Sequence, residues 1–168
     1  MPRNVEIKAR VDDLQALHER AAALAGHEPT EIRQDDTFFR CPAGRLKLRE
    51  FADGTGELIF YQRTDQAGPK QSFYVRSPVA DPRSLRECLE QAYGIVGRVR
   101  KTRWLYLAGR TRIHLDRVEG LGDFIELEVV LNDDEPLAAG EQEARSLMEK
   151  LGIEEAQLVE AAYVDLLR

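Results

Sequence analysis

Residues 3–11 read Arg3-Asn4-Val5-Glu6-Ile7-Lys8-Ala9-Arg10-Val11. Asn4, Glu6, Lys8 and Arg10 alternate with Val5, Ile7, Ala9 and Val11, the two-residue period of a half-buried strand. The period then turns helical over 12–25. Leu14, Leu17, Ala21 and Leu24 form a stripe, Asp12 and Gln15 have capping-box spacing, and Gly26 suits the stop. Strands are expected at 32–40, 45–51, 57–64 and 70–77, separated by Pro42-Ala43-Gly44, Ala52–Gly56 and Ala67-Gly68-Pro69. Asp81-Pro82 starts a second helix that turns Leu85, Cys88, Leu89 and Ala92 inward and ends at Gly94. Further strands follow at about 97–108, 111–117 and 123–131, joined by Ala108-Gly109-Arg110 and Glu119–Gly122 as hairpin turns. Two helices end the chain, one carrying Leu147, Met148 and Leu151 before Gly152, the other running from Leu158 to Leu166. Eight short antiparallel strands and four helices predict an α+β fold built on an eight-stranded barrel or strongly curled sheet.

Composition narrows the function. The 168 residues fit one domain spanning 1–168. Lys and Arg number 24 against 30 Asp and Glu, a net charge of −6. An acidic chain is poorly suited to nucleic acid, whose phosphates require a basic surface. With 43% hydrophobic and 32% charged residues the chain can bury a core. No apolar run approaches the ~18 residues of a membrane span, and the charged N-terminus lacks a signal-peptide pattern. Cys41 and Cys88 lie far apart with no CxxC, which excludes a disulfide framework and a thiolate zinc site. The expectation is a cytoplasmic protein, monomer or homodimer, with no nucleic-acid or membrane partner.

The charges inside the strands carry the functional signal. The more polar registers collect Glu6, Lys8, Arg10, Arg45, Lys47, Arg49, Arg63, Arg76, Lys101, Arg103, Arg112, Asp116, Glu126 and Glu128. Cations dominate this face although the whole chain is acidic. One arrangement with such a face is a solvated sheet laced with cross-strand ion pairs. The other is a closed barrel with the face inward and the apolar face under helices. A surface face should share the acidity of the whole, and the carboxylates recur at i, i+2 or beside cations; both details weigh against the solvated sheet and leave the two arrangements open. Many cations with a few carboxylates suit a polyphosphate accompanied by a hard divalent ion. His114 shares a face with Asp116, and Tyr61 and Tyr74 share registers with basic residues. Trp104 and Tyr106 read as barrel packing or outer surface, Cys88 as a core residue, and His18 and His27 as solvated.

Asn4-Val5-Glu6-Ile7-Lys8 resembles the ExExK signature of the CYTH superfamily, the triphosphate tunnel metalloenzymes. Gln34-Asp35-Asp36-Thr37-Phe38-Phe39, Arg45-Leu46-Lys47-Leu48-Arg49 and Lys101-Thr102-Arg103 resemble its later strands. The most specific match is the stretch from His114-Leu115-Asp116 to Gly122-Asp123-Phe124-Ile125-Glu126-Leu127-Glu128. The closest branch looks like the small class IV adenylate cyclases. This resemblance implies an eight-stranded tunnel barrel that binds a nucleoside triphosphate or inorganic triphosphate with Mg²⁺ or Mn²⁺. It implies conversion of ATP to cyclic AMP and pyrophosphate. The alternatives are inorganic tripolyphosphate or thiamine triphosphate hydrolysis, or a nucleotide-binding module without turnover. By matching position, Glu6, Glu126 and Glu128 are implied metal ligands. Lys8, Lys47, Arg49, Arg63, Arg76, Lys101 and Arg103 are implied phosphate ligands, and Glu6, Lys8, Lys101, Arg103 and Asp116 the catalytic set. The chain departs from the signature at Asn4, which offers a neutral carbonyl where the family has a first Glu.

Overall fold

A computed structural model describes residues 3–63 and 68–167, with Arg63 described by its backbone. The strands are β1 (Arg3–Arg10), β2 (Thr30–Phe39), β3 (Arg45–Phe51), β4 (Gly56–Arg63), β5 (Lys70–Val79), β6 (Ile95–Ala108), β7 (Thr111–Val118) and β8 (Gly122–Leu131). They close into a barrel in the order β1-β5-β4-β3-β2-β6-β7-β8, every ladder antiparallel. The helices are α1 (Leu14–Ala25), α2 (Pro82–Tyr93), α3 (Leu137–Leu151) and the short α4 (Tyr163–Leu166). The expected eight-stranded antiparallel barrel with flanking helices is the observed fold. Among the described residues no helix is long and apolar enough to cross a membrane.

The barrel is apolar outside and polar inside over much of its wall. Val5, Ile7 and Ala9 of β1, Ile113 and Leu115 of β7, and Ile125, Leu127 and Val129 of β8 share one core. Leu14, Leu17 and Ala21 of α1, and Ala144, Leu147, Met148 and Leu151 of α3, pack onto it. The alternate residues of these strands therefore face the lumen. A one-residue slip would exchange the two faces, so burial of the outer row sets the register.

Three expectations are corrected. Asp13, not Asp12, caps α1, accepting from the Ala16 amide at 3.1 Å. The inward stripe of α2 is weak: Cys88 and Ala92 are exposed, and Pro82 is the buried residue of the helix. The reason is the surface beneath it. Arg86 reaches Glu50 at 2.6 Å and Thr37 at 3.2 Å, so polar contacts dock this helix in part. The last helix does not begin at Leu158. Residues 158–162 are extended apart from their turn into α4, because β1 pairs with β5 only over Arg3–Glu6 and leaves backbone open beyond. Leu158 bridges Ala9 there, and the Val159 amide donates to the Lys8 carbonyl at 2.9 Å.

Ala162, Tyr163 and Val164 then enter one end of the barrel, packing with Phe38, Val99, Val118 and Phe124. Gly97 of β6 makes this approach possible, since a Cβ there would overlap Val164 Cγ2. Gly97→Ala is expected to destabilise the fold by about 1–3 kcal/mol, the usual range for overpacking. Thermal unfolding of the variant checks it; an unchanged midpoint would mean that the terminal segment moves aside freely.

Candidate active site in the barrel lumen

The lumen is a cavity of about 520 Å³. Glu6 and Lys8 of β1, Lys47 and Arg49 of β3, and Arg76 of β5 line it. So do Lys101 and Arg103 of β6 and Glu126 and Glu128 of β8. The Arg63 side chain lies outside the described residues. Asp116 does not line the cavity; it is fully buried in the wall. Two cations of the charged face also stay out of the lining. Arg10 is exposed and stacks over Phe124 at 5.2 Å, while Arg45 pairs with Asp165 of α4.

Two buried carboxylates organise the cations. Asp36 accepts two bonds from Arg49, at 2.8 and 2.9 Å, and one from Lys101 at 3.0 Å, with Lys47 at 3.6 Å. Burial alone would raise its pKa, but Arg49, Lys101 and Lys47 outweigh burial and hold the carboxyl well below its ordinary value. Asp116 binds Arg103 through both oxygens, at 2.7 and 2.8 Å, and accepts the Tyr163 hydroxyl at 2.8 Å. Arg103 also lies 3.4 Å from Glu126. The Arg103 guanidinium is thus aimed by Asp116, and one edge of it faces the acidic strand β8. Burial and the neighbouring Arg49 charge push the Lys47 ammonium well below its usual range, so this cation is poised to gain from a bound anion.

The acidic side of the lumen comes from the β1–β8 ladder. Glu6 stands directly opposite Glu128, and Lys8 opposite Glu126. Lys8 lies 3.9 Å from Glu126, 4.0 Å over the Tyr163 ring, and donates to the Ala161 carbonyl at 3.3 Å. Glu128 pairs with Arg112 at 2.9 Å. Its pKa is nevertheless raised, by burial first and the Glu6 charge second. His114, across from Glu126, is pushed down to about 3 by burial and the Arg103 charge, so its imidazole is neutral.

The CYTH domain matches residues 2–163. The chain belongs to the CYTH family. It is similar to the adenylate cyclase CyaB of Aeromonas hydrophila, 29% identical over 170 residues that cover 95% of this chain and 85% of that one. Among solved structures, a Pyrococcus horikoshii protein superposes with a TM-score of 0.84 at 23% identity, covering 98% of this chain and 99% of its own. An adenylyl cyclase candidate from Hippeastrum, which shows a dominant triphosphatase activity, superposes with a TM-score of 0.68 at 17% identity, covering 100% and 95%.

Sequence reasoning about this CYTH barrel missed Asp36 as a site residue, although it lies in a quoted strand. Both registers of β2 mix polar and apolar residues, so alternation alone did not choose its inner face. Gln34, Ser72 and Arg112 also line the lumen, as do His114, Tyr61 and Tyr74. Tyr163 enters from the far end of the chain, which no strand pattern could signal.

The donors suit a hard divalent cation. Glu6, Glu126 and Glu128 supply carboxylate oxygens from adjoining strands. Asn4 adds a buried amide oxygen, Oδ1, that has no hydrogen-bond partner. Among the described residues, no three His, Cys, Asp or Glu side chains form a ready metal cage. Mg²⁺ does not require one, because it is usually bound by one or two carboxylates with phosphate oxygens and water completing the octahedron.

The raised Glu128 pKa has a consequence for stability. A carboxyl whose folded pKa exceeds its unfolded value of 4.5 supports the fold fully below that value, and the support is lost as pH rises through the folded pKa. At neutral pH its ionisation therefore opposes folding. In EDTA at pH 7, Glu128→Gln is expected to raise the melting temperature, by about 2–4 °C for each kcal/mol recovered. The gain should vanish below the ordinary carboxylate range, where both side chains are neutral. A lower Tm at pH 7 would show that the Arg112 pair outweighs the crowding.

Proposed function

We propose that the lumen binds a triphosphate with Mg²⁺ or Mn²⁺ and that the chain acts as a class IV adenylate cyclase-like enzyme, converting ATP to cyclic AMP and pyrophosphate. The observation that carries this reading is the division of one cavity into a cationic wall on β3 and β6 and a carboxylate wall on β1 and β8. CYTH-family proteins are metal-dependent enzymes of triphosphate tunnels, and the Aeromonas hydrophila relative is an adenylate cyclase. The reading takes 1–168 as one barrel domain. The cytoplasm suits such a substrate, and both cysteines are free thiols.

In this scheme Arg49, Lys101 and Arg103 hold phosphate oxygens, joined by Lys8, Lys47 and Arg76. They stabilise the charge that grows on the leaving pyrophosphate. Asp36 and Asp116 do not touch substrate; they fix the cations before it arrives. Glu6, Glu126 and Glu128 would hold the divalent ion, with Asn4 Oδ1 beside them. When bound, that ion supplies Lewis-acid polarisation of phosphate oxygens. The ribose 3′-oxygen forms a bond to the α-phosphorus, the bond from that phosphorus to the bridging oxygen breaks, and the hydroxyl proton passes to solvent. Attack by water on the terminal phosphorus would instead release orthophosphate, the alternative that the Hippeastrum protein's activity keeps in play.

Product analysis tests the proposal. With Mn²⁺ and ATP the expected products are cyclic AMP and pyrophosphate. Orthophosphate from ATP, tripolyphosphate or thiamine triphosphate would replace the cyclase by a hydrolase, and no product from any would leave a binding module. Glu6→Gln and Glu126→Gln should each weaken the metal response at least as much as the roughly 10–100-fold that loss of an outer-shell partner costs. Asn4→Glu should lower the Mn²⁺ concentration giving half-maximal activity, because it adds a charge beside Glu6. An unchanged metal titration in that variant would remove position 4 from the metal's surroundings.

A further inference from the structure

The outer wall of the barrel is covered unevenly. Helices pack on β1, β2, β3, β6, β7 and β8. The outer face of β4 and β5 is left largely bare, and Pro82 of α2 meets its near end at Gly56. On these strands Glu57, Ile59, Tyr61, Ser72, Tyr74 and Arg76 line the lumen, so the alternate residues point outward. They are Leu58, Phe60 and Gln62 on β4 and Phe73, Val75 and Ser77 on β5. Leu46 of β3, Phe60 and Val75 stand in one row across two ladders. Val75 is 52% exposed, and Leu46, Leu58, Phe60 and Phe73 are half-buried.

None of those outward residues on β4 and β5 is charged, although charged residues make up 32% of the chain. The solvated stretch of β2 and β6 is built differently. It carries Arg33, Asp35, Arg98 and Arg100, with Asp35 2.7 Å from Arg98 and 3.5 Å from Arg100. A sheet face that stays in water is normally polar in this way. β5 also has an open side. β1 pairs with it only over Lys70–Phe73, so among the described residues Tyr74–Val79 pair with β4 alone. Natural edges are blunted with charge, but the outward side chains here are Val75 and Ser77. Pro78 lacks an N–H and interrupts strand addition along this edge, so what the edge offers a partner is its face.

We propose that a second copy of the chain docks on this face, across a two-fold axis passing near Val75. Each copy carries a net charge of −6, so two copies repel in most orientations. A two-fold contact sets a patch against itself, and any charge in it meets its own copy. The β4–β5 face has no charge to oppose, and its row of Leu46, Phe60 and Val75 gains by leaving water. A partner recognised by charge finds nothing on this face to pair with. Docking here uses none of the lumen residues and is independent of the reaction assigned to them.

Sedimentation velocity of the full chain over a range of concentrations is the test. The wild type is expected to form a reversible dimer. Val75→Glu and Val75→Lys each set like charges face to face near the axis, and each should weaken the dimer by roughly a hundredfold or more, because interfaces strongly penalise opposed like charges. Mixed in equal amounts, the two variants should associate again, which also shows that both are folded. Arg100→Glu, on the charged face of β6, should leave the dimer unchanged. A wild type that stays monomeric at every concentration would overturn the proposal. So would a dimer that both Val75 variants leave intact, variants that remain monomeric when mixed, or loss of the dimer in Arg100→Glu.

Discussion

Asp36 is the pivot of the lumen. A carboxylate 1% exposed inside a barrel is tolerated only when charge-assisted bonds offset its desolvation. Arg49, Lys101 and Lys47 provide them from two strands that flank β2. Asp116 does the same for Arg103 on the other side of β6. The cations are therefore oriented before any ligand arrives, which is the condition under which fixed charges stabilise a developing anion most effectively. The same bonds tie function to folding. Removing Lys101 or Arg103 deletes a lumen cation and also takes charge-assisted bonds from a buried carboxylate, so stability and binding must be measured together in such variants.

The β1–β8 ladder shows the opposite balance. Like charges directly opposite in a sheet are unfavourable, yet Glu6 faces Glu128 in register. Arg112 relieves the crowding only in part, because burial and Glu6 still raise the Glu128 pKa. The outer faces of the same strands belong to the main core, with Val5, Ile7, Leu127 and Val129 fully buried. Packing on the outside holds in place an arrangement that electrostatics on the inside would relax.

The C-terminal segment connects these halves. Its backbone continues the pairing of β1, its carbonyls at Glu160 and Ala161 accept from Lys70 and Lys8, and Tyr163 reaches Asp116. Tyr163 packs on Phe124 with ring centroids 4.9 Å apart and lies under Lys8. One short segment thus sets a Lys on β1, an Asp on β7 and the closed end of the cavity. Four helical residues could not do this through intrinsic helix stability; they are held by packing against Phe38, Val99 and Val118.

The strands were legible because alternation is a local property. Val5, Ile7 and Ala9 against Asn4, Glu6 and Lys8 declare two faces within a few residues, and eight such segments with turn signals imply an antiparallel barrel or a strongly curled sheet. The charge of the inner face followed from the same count, as did nearly all the lumen cations and three of the four lumen glutamates, Glu57 of β4 being the one not singled out. What the sequence could not reveal are relations between distant positions. Asp36 meets Arg49 across 13 residues and Lys101 across 65, and Tyr163 meets Asp116 across 47. Pairing of β2 with β3 on one side and β6 on the other brings the first set together, and docking of the terminal segment brings the second. Side-chain periodicity is written in the chain; which strands become neighbours, and hence which charges share one buried space, is decided only when the barrel closes.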